Sequence, residues 1–149
     1  MLLFIYGTLM TGGSNHRILV RPSSFGMSDR PKLLGDYWID GAQLWHLGGA
    51  PALKIMKDNE YEPHTNKVYG ELWDVPNMHV ITVLDPLEGH PSLYCRRTIA
   101  YEPEQRRDIE AYVFQYDTSH CERILSGKWP ARVDVLESVA NGGHGVETH

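Results

Sequence analysis

Cysteine, long apolar runs and clustered positive charge are all scarce in this chain. Its 149 residues include only two cysteines, Cys95 and Cys121, which are too few for a disulfide framework and lack zinc-site spacing. No apolar run approaches the roughly 18–20 residues needed to span a bilayer, and no signal-peptide pattern is present. The sequence therefore predicts a cytoplasmic protein without a membrane partner.

The charge balance is acidic, with 14 Lys and Arg against 19 Asp and Glu and a formal net charge of -5. Nucleic-acid binding generally needs a clustered positive face, so the composition argues against a nucleic-acid partner. Eight histidines are present, but none forms an i, i+4 pair around a glutamate. No metal site is predicted.

The composition is that of an ordinary globular protein, with 42% hydrophobic residues in a length typical of one domain. We expect a single domain over residues 1–137. Residues 138–149 contain Gly142-Gly143 and no apolar periodicity, and they are predicted to be a flexible tail.

Short apolar runs separated by glycine, proline and polar residues predict strands along most of the chain. The predicted strands are 2–6, 33–39, 43–47, 52–56 and 68–75, followed by a hairpin of 93–101 and 109–116. A short helix is predicted through Ile18 and Leu19, capped by Ser14 or Asn15. Two polar segments, 21–32 and 57–66, are predicted to be connections. The order of elements predicts an α+β fold around one core.

The main helical pattern begins near Pro76-Asn77. Its apolar residues form one predicted face: Val80, Ile81, Leu84 and Leu87. Because Pro86 disfavours helical geometry at Asp85, the helix is predicted to end there. Glu88 would then lie just beyond the helix end, in a stiff segment before Gly89.

The first apolar run passes directly into Tyr6-Gly7-Thr8-Leu9. A buried strand that ends in such a turn presents backbone N–H groups at the sheet edge, where a small anion can dock. We expect Gly7 to be needed because a side chain there would block close approach to this backbone.

Five motifs in sequence order carry a family resemblance. They are Tyr6-Gly7-Thr8-Leu9, Gly70-Glu71-Leu72-Trp73, the block from Leu84 to Arg96 with Glu88-Gly89 and Pro91-x-x-Tyr94, Ala111-Tyr112-Val113-Phe114, and Ser126-Gly127-Lys128-Trp129. This series resembles the γ-glutamylcyclotransferase-like superfamily. Within it, the Glu-Gly and Pro-x-x-Tyr pattern is similar to the γ-glutamylamine cyclotransferase and AIG2-like branch.

The resemblance implies a small mixed β-barrel flanked by helices. It implies an enzyme that cyclises a γ-glutamyl group to 5-oxoproline and releases an amine, without metal or cofactor. The partner would be a small-molecule γ-glutamyl substrate. Met10 and Lys128 depart from residue types common in the family, and both departures bear on substrate choice.

The residue types fit this chemistry. Glu88 is the predicted acid/base, because the substrate's α-ammonium must lose a proton before it can attack the γ-carbonyl. Burial beside Leu84, Leu87 and Leu93 would raise the pKa of Glu88. The predicted substrate-binding residues of the first turn are Tyr6, Gly7, Thr8 and Leu9. The resemblance implies that Tyr94 also lines the pocket and orients Glu88 or the substrate.

Two alternatives stay open at this point. The same pocket could bind or sequester a small metabolite without turnover. It could also hydrolyse a larger γ-glutamyl conjugate, in which case the product would be glutamate. The sequence specifies neither the leaving amine nor the oligomeric state.

Overall fold

The computed structural model describes residues 1–21, 30–57 and 66–130. Most of both predicted connections, the domain boundary at 137 and the predicted tail 138–149 lie outside these ranges. The described strands are β1 (Leu2–Ile5), β2 (Lys32–Asp40), β3 (Ala42–His46), β4 (Pro51–Ile55), β5 (Lys67–Asp74), β6 (Tyr94–Glu102), β7 (Arg107–Phe114) and β8 (Glu122–Arg123). The helices are α1 (His16–Val20), α2 (Asn77–His79) and α3 (Asp85–Glu88), with a π-helical turn over Val80–Leu84 that joins the last two.

The strands form two sheets. The larger has the order β2-β5-β1-β7-β6 and the smaller has the order β4-β3-β8. β1 runs antiparallel to β5 and parallel to β7, so the larger sheet is mixed. The α+β prediction and the β6–β7 hairpin are therefore confirmed. Among the described residues no strand pairing closes the sheets into a ring, and the barrel stays a prediction.

The central strand β1 is buried on both faces, which explains its unbroken apolar sequence. Leu3 and Ile5 pack into a core shared with the helices. Leu2 and Phe4 point the other way, into a core shared with β3 and β4 of the smaller sheet. Because both faces are covered, the chain that leaves the end of β1 emerges between the two layers.

The helical segment differs from the prediction at Pro86. The π-helical turn pairs the Asp85 N–H with the Val80 carbonyl, one residue further back than in an α-helix. Pro86 therefore falls in the first turn of α3, where its missing N–H is not needed. The helix continues through Glu88 and ends at Gly89, which is left-handed with φ 66°.

The predicted apolar face is also wrong in part. Val80 and Leu84 are buried, whereas Ile81 and Leu87 are 52% and 43% exposed. A π-helical turn contains more residues than an α-helical turn, so a spacing of 3.6 residues no longer keeps all four side chains on one side. Among the described helices, none is long and apolar enough to cross a bilayer.

Leu84 and Leu87 provide a direct test of this altered register. We expect Leu84→Ala to lower the free energy of unfolding by about 2–5 kcal/mol, because it opens a cavity in the core. Leu87→Ala, a matched change on the same helix, should lower it by less than about 1 kcal/mol. Urea denaturation of both variants measures the difference, and equal losses would contradict the register described here.

Candidate active site

The turn that follows β1 is held on its carbonyl side by the loop that comes after it. The Gly7 carbonyl accepts from the Met10 N–H at 3.0 Å, and the Thr8 carbonyl accepts from the Asn15 N–H at 2.9 Å. His16 Nδ1 lies 2.9 Å from the Leu9 carbonyl oxygen, a contact that requires the proton on this nitrogen. All three carbonyls are therefore hydrogen-bonded to residues that follow on one side of the turn.

Two N–H groups of the same peptides, those of Thr8 and Leu9, are left over, and so is the N–H of Gly7, whereas the Met10 N–H is used within the turn. Among the described residues, none accepts a hydrogen bond from the N–H of Gly7, Thr8 or Leu9. Because a trans peptide directs its N–H opposite to its carbonyl, the N–H groups of Thr8 and Leu9 point away from the supporting loop. Such adjacent N–H groups form a concave site for an anion.

A buried carboxylate fixes the far end of this loop. Glu71, on β5, accepts from the Thr11 N–H at 2.8 Å and from Trp73 Nε1 at 3.2 Å. Asn15, at the helix N-cap position, makes no capping hydrogen bond and instead donates through Nδ2 to Thr8 Oγ1 at 3.0 Å. The predicted cap therefore serves the turn rather than the helix.

The turn forms one wall of a small, half-open cleft with a cavity volume of about 40 Å³. The described lining residues contain no Lys, Arg or His. They are Phe4, Ile5, Tyr6, Gly7, Thr8, Leu9, Ala50, Pro51, Glu88, Tyr94 and Tyr112. Every predicted site residue therefore lines one cleft, although these residues come from distant parts of the sequence.

Glu88 is the only acidic residue in this lining. Burial raises the pKa of its carboxyl to about 7. Burial is the cause that the sequence predicted, but of the three predicted neighbours only Leu84 is buried, whereas Leu87 and Leu93 are 43% and 44% exposed.

Three tyrosines surround Glu88, yet none donates to it. The hydroxyl of Tyr6 donates to the Tyr112 carbonyl at 2.5 Å, and that of Tyr94 donates to the Pro51 carbonyl at 2.7 Å. The hydroxyl of Tyr112 donates to Asp85 Oδ1 at 2.6 Å. Burial raises the pKa of each hydroxyl, and the charge of Glu88 raises it further. With every hydroxyl proton committed elsewhere, Glu88 has no hydrogen-bond donor among the described residues.

Gly7 is required for a reason that the sequence did not reveal. A Cβ at this position would lie 2.7 Å from Cγ of Pro51, on the opposite wall of the cleft. The glycine therefore allows the turn to approach β4 closely, in addition to leaving its own backbone accessible.

Tyr112 and Pro51 are site residues that the sequence reasoning missed. Tyr112 was visible only as an aromatic in the late strand motif, with no local signal linking it to Asp85 or Glu88. The predicted role of Tyr94 in orienting Glu88 is not reproduced by a direct contact, because its hydroxyl is bound to Pro51. Among the described residues no group of three or more His, Cys, Asp or Glu side chains is arranged to hold a metal ion.

Comparison with known proteins shows the family of this chain. Residues 3–131 match the family model described as gamma-glutamyl cyclotransferase, AIG2-like. A relative from Vibrio cholerae is provisionally named a gamma-glutamylcyclotransferase. It is 32% identical to this chain over 135 residues, which cover 89% of this chain and 97% of the relative.

Two solved structures share the fold. Protein ytfP from Escherichia coli has a TM-score of 0.60 at 28% identity and covers 89% of this chain and 99% of its own. An aig2-like protein from Mus musculus has a TM-score of 0.56 at 25% identity, and the match covers 78% of this chain and 77% of the mouse protein. The chain belongs to the gamma-glutamyl cyclotransferase, AIG2-like family.

Proposed function

We propose that the protein is a cofactor-free cyclotransferase that converts a γ-glutamyl amide into 5-oxoproline and a free amine. Glu88 is the acid/base, the turn from Tyr6 to Leu9 binds the substrate, and Tyr94 forms the pocket wall. The observation that carries this proposal is the pairing of unused N–H groups with a donor-free carboxylate across one cleft. The family and the names of its relatives support the same reaction class.

The reaction needs little more than these groups. The α-amino nitrogen of the substrate attacks its own γ-carbonyl, so the enzyme mainly holds the folded conformer. Glu88 takes a proton from the α-ammonium, the new C–N bond closes the ring, and the bond to the leaving nitrogen breaks. The protons lost by the attacking nitrogen pass through Glu88 to the departing amine, and the carboxylate is regenerated.

The polarity of the cleft suits both ends of this substrate. The N–H groups of Thr8 and Leu9 would hold the α-carboxylate or the developing oxyanion. Glu88 and the three tyrosine oxygens are acceptors and would receive the α-ammonium. A pKa of about 7 makes Glu88 a better match to an amine than an ordinary carboxylate.

Substitution of Glu88 tests the reaction. The protein is incubated with a panel of γ-glutamyl amines, γ-glutamyl amino acids and glutathione, and 5-oxoproline is measured by mass spectrometry. We expect Glu88→Gln to lower kcat by at least about 100-fold, because it removes the proton acceptor. Glu104→Gln, the same change at an exposed residue, should retain activity.

Three other results of this assay would each count against the proposal. Glutamate as the product would indicate hydrolysis. Binding without product from folded protein would indicate the sequestering alternative. Full activity of the Glu88→Gln variant would remove Glu88 from the mechanism.

Substitution of Gly7 tests the binding turn. We expect Gly7→Ala to raise KM by about 10- to 100-fold, because the added Cβ pushes the turn away from Pro51 and displaces its N–H groups. Gly49→Ala is the matched control, since no atom lies within 4 Å of a Cβ placed there. Steady-state kinetics on the best panel substrate measure both, and an unchanged KM for Gly7→Ala would contradict the assignment of this turn.

The raised pKa of Glu88 also affects stability. Because the folded state holds the Glu88 proton more tightly than the unfolded state, the free energy of unfolding falls as pH rises from about 4.5 to about 7. We expect Glu88→Gln to be more stable than wild type at pH 8 by about 1–2 kcal/mol. This advantage should disappear at pH 4, where Glu88 is protonated in both states.

Denaturant unfolding at the two pH values makes this measurement. The free energy of unfolding of the Glu104→Gln variant should differ from that of wild type by the same amount at both pH values. A stability difference for Glu88→Gln that did not change between pH 4 and pH 8 would mean that Glu88 titrates normally.

A further inference from the structure

Behind the cleft lies an ion-pair network that the proposed chemistry does not use. Arg96, on β6, donates two parallel hydrogen bonds to Asp85, from Nε to Oδ1 at 3.0 Å and from Nη2 to Oδ2 at 3.1 Å. Its third nitrogen, Nη1, donates to Glu110 Oε1 at 2.6 Å. The side chains of Asp85 and Arg96 are only 11% and 16% exposed. Bidentate geometry fixes the position of the Asp85 carboxylate as well as its charge.

The same carboxylate accepts the hydroxyl of Tyr112, a residue of the cleft wall. Burial alone would raise the pKa of Asp85, but the hydrogen bonds from Arg96 and Tyr112 outweigh it and keep that pKa below its ordinary value. Asp85 is therefore a permanent acceptor at neutral pH. The short Tyr112–Asp85 contact of 2.6 Å is typical of a hydroxyl bound to a charged carboxylate.

We propose that Asp85 is a positioning residue that keeps the single hydroxyl proton of Tyr112 away from Glu88. A tyrosine hydroxyl has one proton to donate, so a proton given to Asp85 is withheld from the acid/base. The Tyr112 oxygen is then left as an acceptor toward the cleft. This inference rests on the proposed role of Glu88 as the base and extends that role to the residues behind it.

The consequence concerns the basicity of Glu88. A hydrogen bond to a carboxylate stabilises its charged form and lowers its pKa. Tyr112 and Glu88 line the same cleft, and the charge of Glu88 acts on the Tyr112 hydroxyl. Without Asp85 this hydroxyl would lose its present acceptor and would donate into the cleft toward Glu88, which would become a weaker base. Asp85 and Arg96 thus preserve the donor-free state of Glu88 without touching the substrate.

The other groups around this network come from several elements. The titratable and charged side chains that face Glu88, Tyr112 or Asp85 are Tyr6 from the turn after β1, Tyr94 and Arg96 from β6, Glu110 from β7, through Arg96, and His90 after α3. Of these, Tyr6 and Tyr94 already donate to backbone carbonyls, so Tyr112 is the hydroxyl whose direction depends on an ionised side chain.

A titration of Glu88 in protein labelled with ¹³C at glutamate side chains tests this directly, without turnover. In wild type we expect Glu88 to titrate at about 7. In Asp85→Ala its midpoint should fall by roughly one pH unit, because Tyr112 becomes a donor to it. Asp85→Leu, which keeps the branching and the number of side-chain heavy atoms and offers no acceptor, serves if the alanine variant does not fold.

Two controls separate positioning from a general structural effect. In a Tyr112→Phe background, loss of Asp85 should leave the Glu88 midpoint where Tyr112→Phe alone puts it, because the hydroxyl is already absent. Asp74→Ala removes a second Asp–Arg pair, with Arg107, in which neither residue lines the cleft, and should leave the midpoint unchanged. A Glu88 midpoint in folded Asp85→Ala equal to that of wild type would overturn the inference.

Activity gives an independent readout. The acid limb of the kcat/KM profile should move to lower pH in Asp85→Ala by the same amount as the Glu88 midpoint, with a plateau reduced about 3- to 10-fold. A shifted midpoint in a protein that makes no 5-oxoproline would support the positioning role and refute the proposed function. Formation of 5-oxoproline together with an unshifted Glu88 midpoint in Asp85→Ala would support the proposed function and refute the positioning role.

Discussion

The burial of β1 on both faces is the constraint on which the rest of the structure depends. The strand lies between β5 and β7, with helices on one face and the smaller sheet on the other. Its end therefore opens into the cleft, where Gly7 and Thr8 are half-buried and Leu9 is buried. The backbone groups of a turn in that position need partners from the protein, water or a ligand. The loop after it satisfies the carbonyls, and the N–H groups of Gly7, Thr8 and Leu9 have no acceptor among the described residues.

The same enclosure determines the electrostatics of Glu88. The cleft wall is apolar or phenolic, and its described lining contains no positive side chain. Each nearby hydroxyl proton is directed to an acceptor fixed by the fold, and one of these acceptors is itself held by Arg96. The carboxylate is therefore influenced mainly by loss of water. A carboxylate without hydrogen-bond donors or positive neighbours is stabilised most by a positively charged group on a bound ligand.

Much of this arrangement could be predicted from local sequence. Alternating and continuous apolar runs predicted the strands and the hairpin, and the motifs selected Tyr6–Leu9, Glu88 and Tyr94, which the fold brings to one cleft. The predicted end of the helix was wrong because Pro86 follows a π-helical turn. The shifted hydrogen bonds of such a turn cannot be recognised from the spacing of apolar residues. The link from Arg96 through Asp85 to Tyr112 was missed because it joins three elements in space. Strand β8 has only two residues, too few to produce a periodic pattern.

In the proposed function, the main-chain N–H groups at the end of β1 bind the head group of the substrate, and this has a consequence for how the protein can diverge. Recognition of a common head group by peptide bonds depends on the path of the backbone rather than on the identity of any side chain there. Substitutions at Ala50 or elsewhere along the far wall can therefore change which amine is accommodated while the head-group site persists. The main-chain site requires small residues at close approaches, as at Gly7 against Pro51 and Gly13 against the Thr8 carbonyl.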